Sequence, residues 1–180
     1  MGRRGEKWGG FSYPRALTLP TSAVLGFKGR YSHSIDSKGR MPVPAKLRRS
    51  LRPEANETFV ATRGFEQCVF LYPANVWEQM ETEFSGLNTY QQETREFIRT
   101  IYMWADDVAL DGQGRISIAK PLMEFADLAP GGKATVIGML DHIEVWNPEV
   151  FDAHIAESRL DYKETAARVM SGPPIRSRLN

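Results

Sequence analysis

A nine-residue segment occurs twice in this chain, and few folds accommodate such a duplication. Asp36-Ser37-Lys38-Gly39-Arg40-Met41-Pro42-Val43-Pro44 returns as Asp111-Gly112-Gln113-Gly114-Arg115-Ile116-Ser117-Ile118-Ala119, an offset of 75 residues. The same offset relates Leu47 to Leu122 and Pro73 to Pro148, and it aligns Phe70-Leu71-Tyr72-Pro73 with Val145-Trp146-Asn147-Pro148. Gly64 and Gly138 stand 74 apart, which places a one-residue slip in a loop between the anchors. Several matches in one register mark a true internal repeat, so each copy is one supersecondary unit built to the same plan.

Each copy reads alike. A strand alternating polar and apolar residues runs over about 27–35 and again over 104–110. A tight glycine turn follows, then a short strand at 40–43 or 115–118. In copy one Pro44 suits the first position of a short helix, and Leu47 and Leu51 recur four apart. Two more strands are predicted in each copy, at 58–62 and 67–71, then at 134–138 and 142–146, with Gly64 and Asp141 in the turns between them. Pro73 and Pro148 open amphipathic helices, the first with Val76, Met80 and Phe84 as its stripe. Copy one also carries a helix over about 90–103, whose face of Thr94, Phe97, Ile98, Ile101 and Tyr102 reads as packing that ties the copies together. Residues 152–170 hold helix formers at irregular spacing and yield no assignment. Neither copy has enough apolar residues to bury its own sheet, so the reading is an α+β chain whose two halves share one barrel-like core.

Charge adds a function class. The formal net charge is only +1, but residues 1–52 hold twelve Lys and Arg against Glu6 and Asp36, net +10, leaving −9 for the remainder. A basic surface on an acidic body is the footprint of a polyanion-binding protein; a solubilising basic tail is the alternative. The single cysteine, Cys68, excludes a disulfide framework or zinc knuckle within the chain. No apolar run approaches the ~20 residues of a membrane helix, and residues 1–30 lack the apolar core of a secretory signal. The histidines (His33, His142 and His154) have no metal-ligand spacing, and neither a nucleophile elbow nor a phosphate loop is present. Asp141-His142 as an acid–base pair and Asp106-Asp107 as a metal site are weaker readings than solvated turns. The chain therefore reads as a non-enzyme without cofactor or metal.

The repeated Asp-x-x-Gly-Arg turn carries the chemistry. Gly39 and Gly114 can take the positive φ that a tight hairpin or bulge between the two strands demands. Asp36 and Asp111 can accept from backbone N–H groups two or three residues on, closing the turn. Arg40 and Arg115 then open the next strand with a planar, permanently charged fork. Such a fork can grip a phosphate or guanine, or it can pair with its own aspartate and lock the turn. Both readings stand on sequence alone.

These paired motifs, with Arg40-Met41-Pro42-Val43-Pro44, Tyr72-Pro73 and Trp146-Asn147-Pro148, resemble those of the MraZ family of bacterial regulators over about residues 26–151. The resemblance implies two tandem SpoVT-AbrB-like swapped-hairpin β-barrel half-domains with flanking short helices. It also implies a ring-shaped homo-oligomer that binds double-stranded promoter DNA at repeats upstream of the division and cell-wall gene cluster. Such a protein acts chiefly as a repressor of its own operon, in the cytoplasm and at the nucleoid, without a membrane partner. Carried over, Asp36, Lys38, Gly39, Arg40, Asp111, Gly114 and Arg115 are DNA-recognition positions. Lys28, Arg30, Lys46, Arg48 and Arg49 are further candidate phosphate contacts in the basic stretch. Gln113 stands where copy one has Lys38, so the second turn is expected to hold phosphate less strongly. The organisation that follows is a flexible basic extension over 1–25, a first repeat over 26–73, linking helices over 74–103, a second repeat over 104–148, and a C-terminal helix and tail over 149–180. A ring-forming scaffold or antitoxin-like module without specific DNA recognition is the alternative.

Overall fold

A computed structural model describes residues 26–158 and 161–171 of the chain. The predicted basic extension and the tail beyond residue 171 lie outside them. Phe27–Ser34 is a strand, β1, that turns Phe27, Tyr31 and His33 to its less exposed side, and the first motif turn leads to β2 (Arg40–Pro42). A one-turn helix α1 (Ala45–Arg48) and a 3-10 turn (Pro53–Ala55) then lead to β3 (Thr58–Arg63) and β4 (Cys68–Pro73). Helices α2 (Ala74–Ser85) and α3 (Gln92–Tyr102) close copy one. Copy two repeats the plan with β5 (Asp106–Ala109), β6 (Arg115–Ser117), α4 (Lys120–Phe125), β7 (Lys133–Leu140), β8 (His142–Trp146) and α5 (Pro148–Glu157). A last helix, α6, spans Tyr162–Met170.

The two copies exchange strands. One antiparallel sheet has the order β1-β7-β8-β4-β3-β5, and β2 pairs with β6 in a separate two-stranded ribbon. Each copy's first strand therefore pairs with the third strand of the other. The register is that of a two-fold axis. Ser34 faces Lys133 as Ala109 faces Thr58, and Val69 faces Val145 as Phe70 faces Glu144, each pair being the other shifted by the repeat. In the ribbon Arg40 faces Ser117 and Arg115 faces Pro42, which puts the buried Met41–Ile116 pair on the axis itself. A strand whose backbone partners come from the other copy cannot satisfy its N–H and C=O groups at home, and this binds the halves into one unit.

The core follows from that exchange. One face of the large sheet is covered by the ribbon and by α1 and α4. Phe27, Met41, Leu47, Phe59, Leu71, Ile116, Leu122 and Ile143 are among the side chains buried there, drawn from both copies. Full burial of one such side chain contributes about 1.5–3 kcal/mol. A second cluster on the opposite face packs Val76, Trp77, Met80 and Phe84 of α2 against Val60, Phe70, Tyr72 and Trp146.

Four sequence expectations need correction. The Asp-x-x-Gly-Arg turns do not close hairpins, because β1 and β2 belong to different sheets; turn residues reveal a reversal but not the partner of the strands around it. Helix α3 seats Phe97 and Ile101 on the cluster around α2, and the Ile101 carbonyl accepts from Thr62 Oγ1 at 3.1 Å. It thus roofs copy one; the exchanged strands tie the copies. Pro44 is the residue before α1, with φ −50° and ψ 130°. Its carbonyl accepts from Leu47 and Arg48 N–H, so the helix begins at Ala45. Finally, the C-terminal helix expected within 149–180 is two helices, α5 and α6, which take in most of the stretch 152–170 whose irregular spacing gives no assignment.

Candidate nucleic-acid interface

Both motif turns are built the same way. Asp36 Oδ1 accepts from the backbone N–H of Lys38 and of Arg40, each at 2.9 Å. Arg40 Nε donates to Asp36 Oδ2 at 2.8 Å, and its Nη2 lies 2.7 Å from the same oxygen. Copy two matches it. Asp111 Oδ1 accepts from Gln113 and Arg115 N–H at 2.9 and 3.0 Å, and Arg115 Nε and Nη2 meet Oδ2 at 2.8 and 2.7 Å. Gly39 and Gly114 take φ of 75° and 72°, a region in which a side chain is strained. The arginine–carboxylate pairs and backbone donors hold both aspartates ionised. For Asp36 the Arg40 N–H is the foremost cause of a lowered pKa, and for Asp111 the Arg115 side chain lowers it to about 2.

The two-fold axis brings the turns together. Arg115 Nη1 lies 3.9 Å from Asp36 Oδ2, so one copy's arginine reaches the other copy's aspartate. Gly114 O accepts from Val43 N–H at 3.0 Å, and Gly39 O accepts from Ile118 N–H at 3.2 Å. The seven motif positions therefore form one continuous cluster. Lys38 and Gln113 are exposed at the tips, while Gly39 and Gly114 are buried beneath side chains from the opposite copy.

Those covering side chains differ. A Cβ at Gly39 would meet Met123 Sδ of α4 at 3.1 Å. A Cβ at Gly114 would overlap the guanidinium of Arg48 from α1, meeting Cζ at 2.5 Å. Arg48 Nε also donates to Val43 O at 3.1 Å. Arg48 and Met123 are equivalent residues of the repeat, and their unequal chemistry in one register is the signal that sequence reasoning passed over. Lys46 and Arg49 flank Arg48 and are exposed. Their equivalents in copy two, Pro121 and Glu124, carry no positive charge.

Lys28 and Arg30 are not brought to this cluster. They lie near the start of β1, opposite Met139 and Ile137, whereas the turn follows the strand's other end. Arg30 instead donates to Asp152 Oδ1 at 2.9 Å and stands 4.8 Å over the Phe151 ring. The weaker enzyme motifs scatter likewise. Asp106 and Asp107 belong to β5, and Asp141 bonds His142 Nδ1 at 2.8 Å in the β7–β8 turn. Among the described residues no group of three or more His, Cys, Asp or Glu is placed to hold a metal. None of their helices is long and apolar enough to cross a membrane.

Fold and cluster together define a class: a tandem-duplicated α+β chain with exchanged strands and a paired Asp–Arg turn at its pseudo-two-fold axis. The family described as "MraZ protein, putative antitoxin-like" matches residues 27–100 and again 101–171. The chain belongs to the MraZ family. It is 36% identical over 141 residues to a protein named "Transcriptional regulator MraZ" from Halothermothrix orenii, covering 78% of this chain and 94% of the relative. It is 43% identical over 122 residues to a protein of the same name from Roseiflexus sp. (strain RS-1), covering 68% and 81%. A third protein of that name, from Roseiflexus castenholzii, is 42% identical over 122 residues, again 68% and 81%.

Proposed function

We propose that the chain is a sequence-specific DNA-binding transcriptional regulator that uses the paired turns to read duplex promoter DNA. The observation that carries this reading is the cluster itself: two Asp-x-x-Gly-Arg turns 3.9 Å apart at the ion pair between them, with Lys38 on the tip of the first and the Arg48 guanidinium over the second. Its relatives' printed name, transcriptional regulator, agrees. The exchanged first strands suit the swapped-hairpin arrangement of the SpoVT-AbrB type. As the family resemblance implies, the site is upstream of the chain's own operon in the division and cell-wall gene cluster. The protein acts there as a repressor and as a ring-shaped oligomer in the cytoplasm.

The form of the target follows from geometry. Subunits related by rotation around a ring meet DNA in one orientation, so the site is a set of short direct repeats. Each turn must find the same groove face, which sets the spacing near one helical turn, ~10–10.5 base pairs. The test is gel retardation with duplex from upstream of the chain's own gene. Inserting about half a turn, ~5 base pairs, between repeats should weaken binding far more than inserting a whole turn. Equal effects, or a palindromic footprint, remove the direct-repeat reading. The scaffold reading draws on the Asp–Arg pairs, whose arginines are already engaged; it predicts that no such duplex is retarded at moderate salt.

A further inference from the structure

Within the motif cluster, formal charge is unevenly distributed. Each turn's arginine is matched by its own aspartate, Arg40 by Asp36 and Arg115 by Asp111, so neither pair supplies net charge. The surplus cations are Lys38, on the tip of the first turn, and Arg48, whose guanidinium lies on Gly114 of the second. At the equivalent positions the repeat has Gln113 and Met123. The first turn thus has a lysine of its own and a methionine from the opposite copy. The second has a neutral glutamine of its own and an arginine from the opposite copy.

We propose that Arg48 is the phosphate-binding residue of the second turn, supplied across the two-fold axis by copy one's helix in place of the lysine that copy two lacks. This rests on the DNA-binding reading above and gives its second turn a specific ligand, a backbone phosphodiester. Arg48 is half-buried, with Nε held by Val43 O, so its stem is positioned before any phosphate arrives. Met123 covers Gly39 from the equivalent place without any charge, so covering the glycine does not require an arginine. A guanidinium where a thioether suffices for packing is the residue type suited to an oxyanion. Each turn then contributes one phosphate contact, and the expected weakness of the second turn disappears.

Each neutralised phosphate steepens the fall of log Kobs with log salt by about 0.9. The experiment measures that slope on duplex from upstream of the chain's own gene, using the full chain and the variants R48M, K38Q, R48K and R48M/Q113K. R48M copies the Met123 arrangement and should keep the wild-type melting temperature while losing about 0.9 from the slope. K38Q should lose a similar amount, and R48K should keep the wild-type slope. R48M/Q113K should recover what R48M loses, because it moves the charge to the turn's own tip. If R48M keeps the wild-type slope while K38Q loses its share, Arg48 merely covers Gly114. The proposal is then overturned, and the DNA-binding reading stands. If the wild-type chain fails to retard the duplex, both are overturned.

Discussion

The carboxylate of Asp111 does two jobs at once: it receives two backbone N–H groups and a guanidinium, and so shapes the turn and restrains the arginine. Its native pKa of about 2 lies below the ordinary 3.8, so its contribution to stability is present above 3.8 and is lost as pH falls through 2. The expected outcome is a urea midpoint that drops over that window and drops less steeply in Asp111→Asn. An equal slope in both proteins would show that the pair adds nothing to folding. His142 works in the opposite direction. Burial among Phe70 and Tyr72 opposes its protonation, but the bond it donates to Asp141 and the Glu144 carboxylate 3.8 Å away outweigh it and raise its pKa above 6.5. Its share of stability is therefore complete below pH 6.5 and disappears as pH rises through the higher native value. Chemical denaturation from pH 6 upward should show a decline in wild type that is flattened in His142→Gln.

At the scale of elements, close backbone approach limits what the exchanged strands tolerate. Gly138 faces Gly29 across β1 and β7, and a Cβ on it would stand 2.8 Å from Lys28 Cα and from Phe27 C. Those are main-chain atoms that cannot rotate away. Gly138→Ala should pry β1 from the sheet and lower the melting temperature by several degrees, the effect of ~1–3 kcal/mol of overpacking in a chain of this size. Gly112→Ala is the control, since nothing lies within 4 Å of its Cβ position. Similar melting temperatures for the two variants would contradict the strand pairing. Sequence made much of this level legible. The 75-residue register marked out the duplicated elements, and Pro73 with the Val76–Met80–Phe84 stripe marked α2 and the face it buries. Partner choice was not legible, because alternation shows which face of β1 is buried but not that β7 is its neighbour. Arg48, a candidate phosphate contact in the sequence, could not be assigned to the second turn for the same reason. Its place in the chain puts it beside the first turn, and only the two-fold axis carries it to the second.

For the whole molecule, the exchange makes each repeat structurally incomplete. Residues 26–100 alone would leave β1 without β7, β3 without β5 and β2 without β6. That fragment should not form a monomeric fold; two copies should lend each other the missing strands, as in domain swapping. Sedimentation should therefore report a dimer whose unfolding midpoint rises with concentration. A cooperatively unfolding monomer would mean that a repeat can complete its own sheet. The same incompleteness governs how the chain comes off the ribosome. Ser34 pairs with Lys133 and Phe27 with Leu140, separations of 99 and 113 residues. At synthesis rates of roughly 5–20 residues per second, the first strand waits on the order of 5–20 s for its partner. Throughout that interval its edge is open, and the nearest matching strand belongs to another nascent chain on the same message. Closely spaced nascent chains would thus favour cross-paired products, the misassembly to which an unpartnered first strand is open.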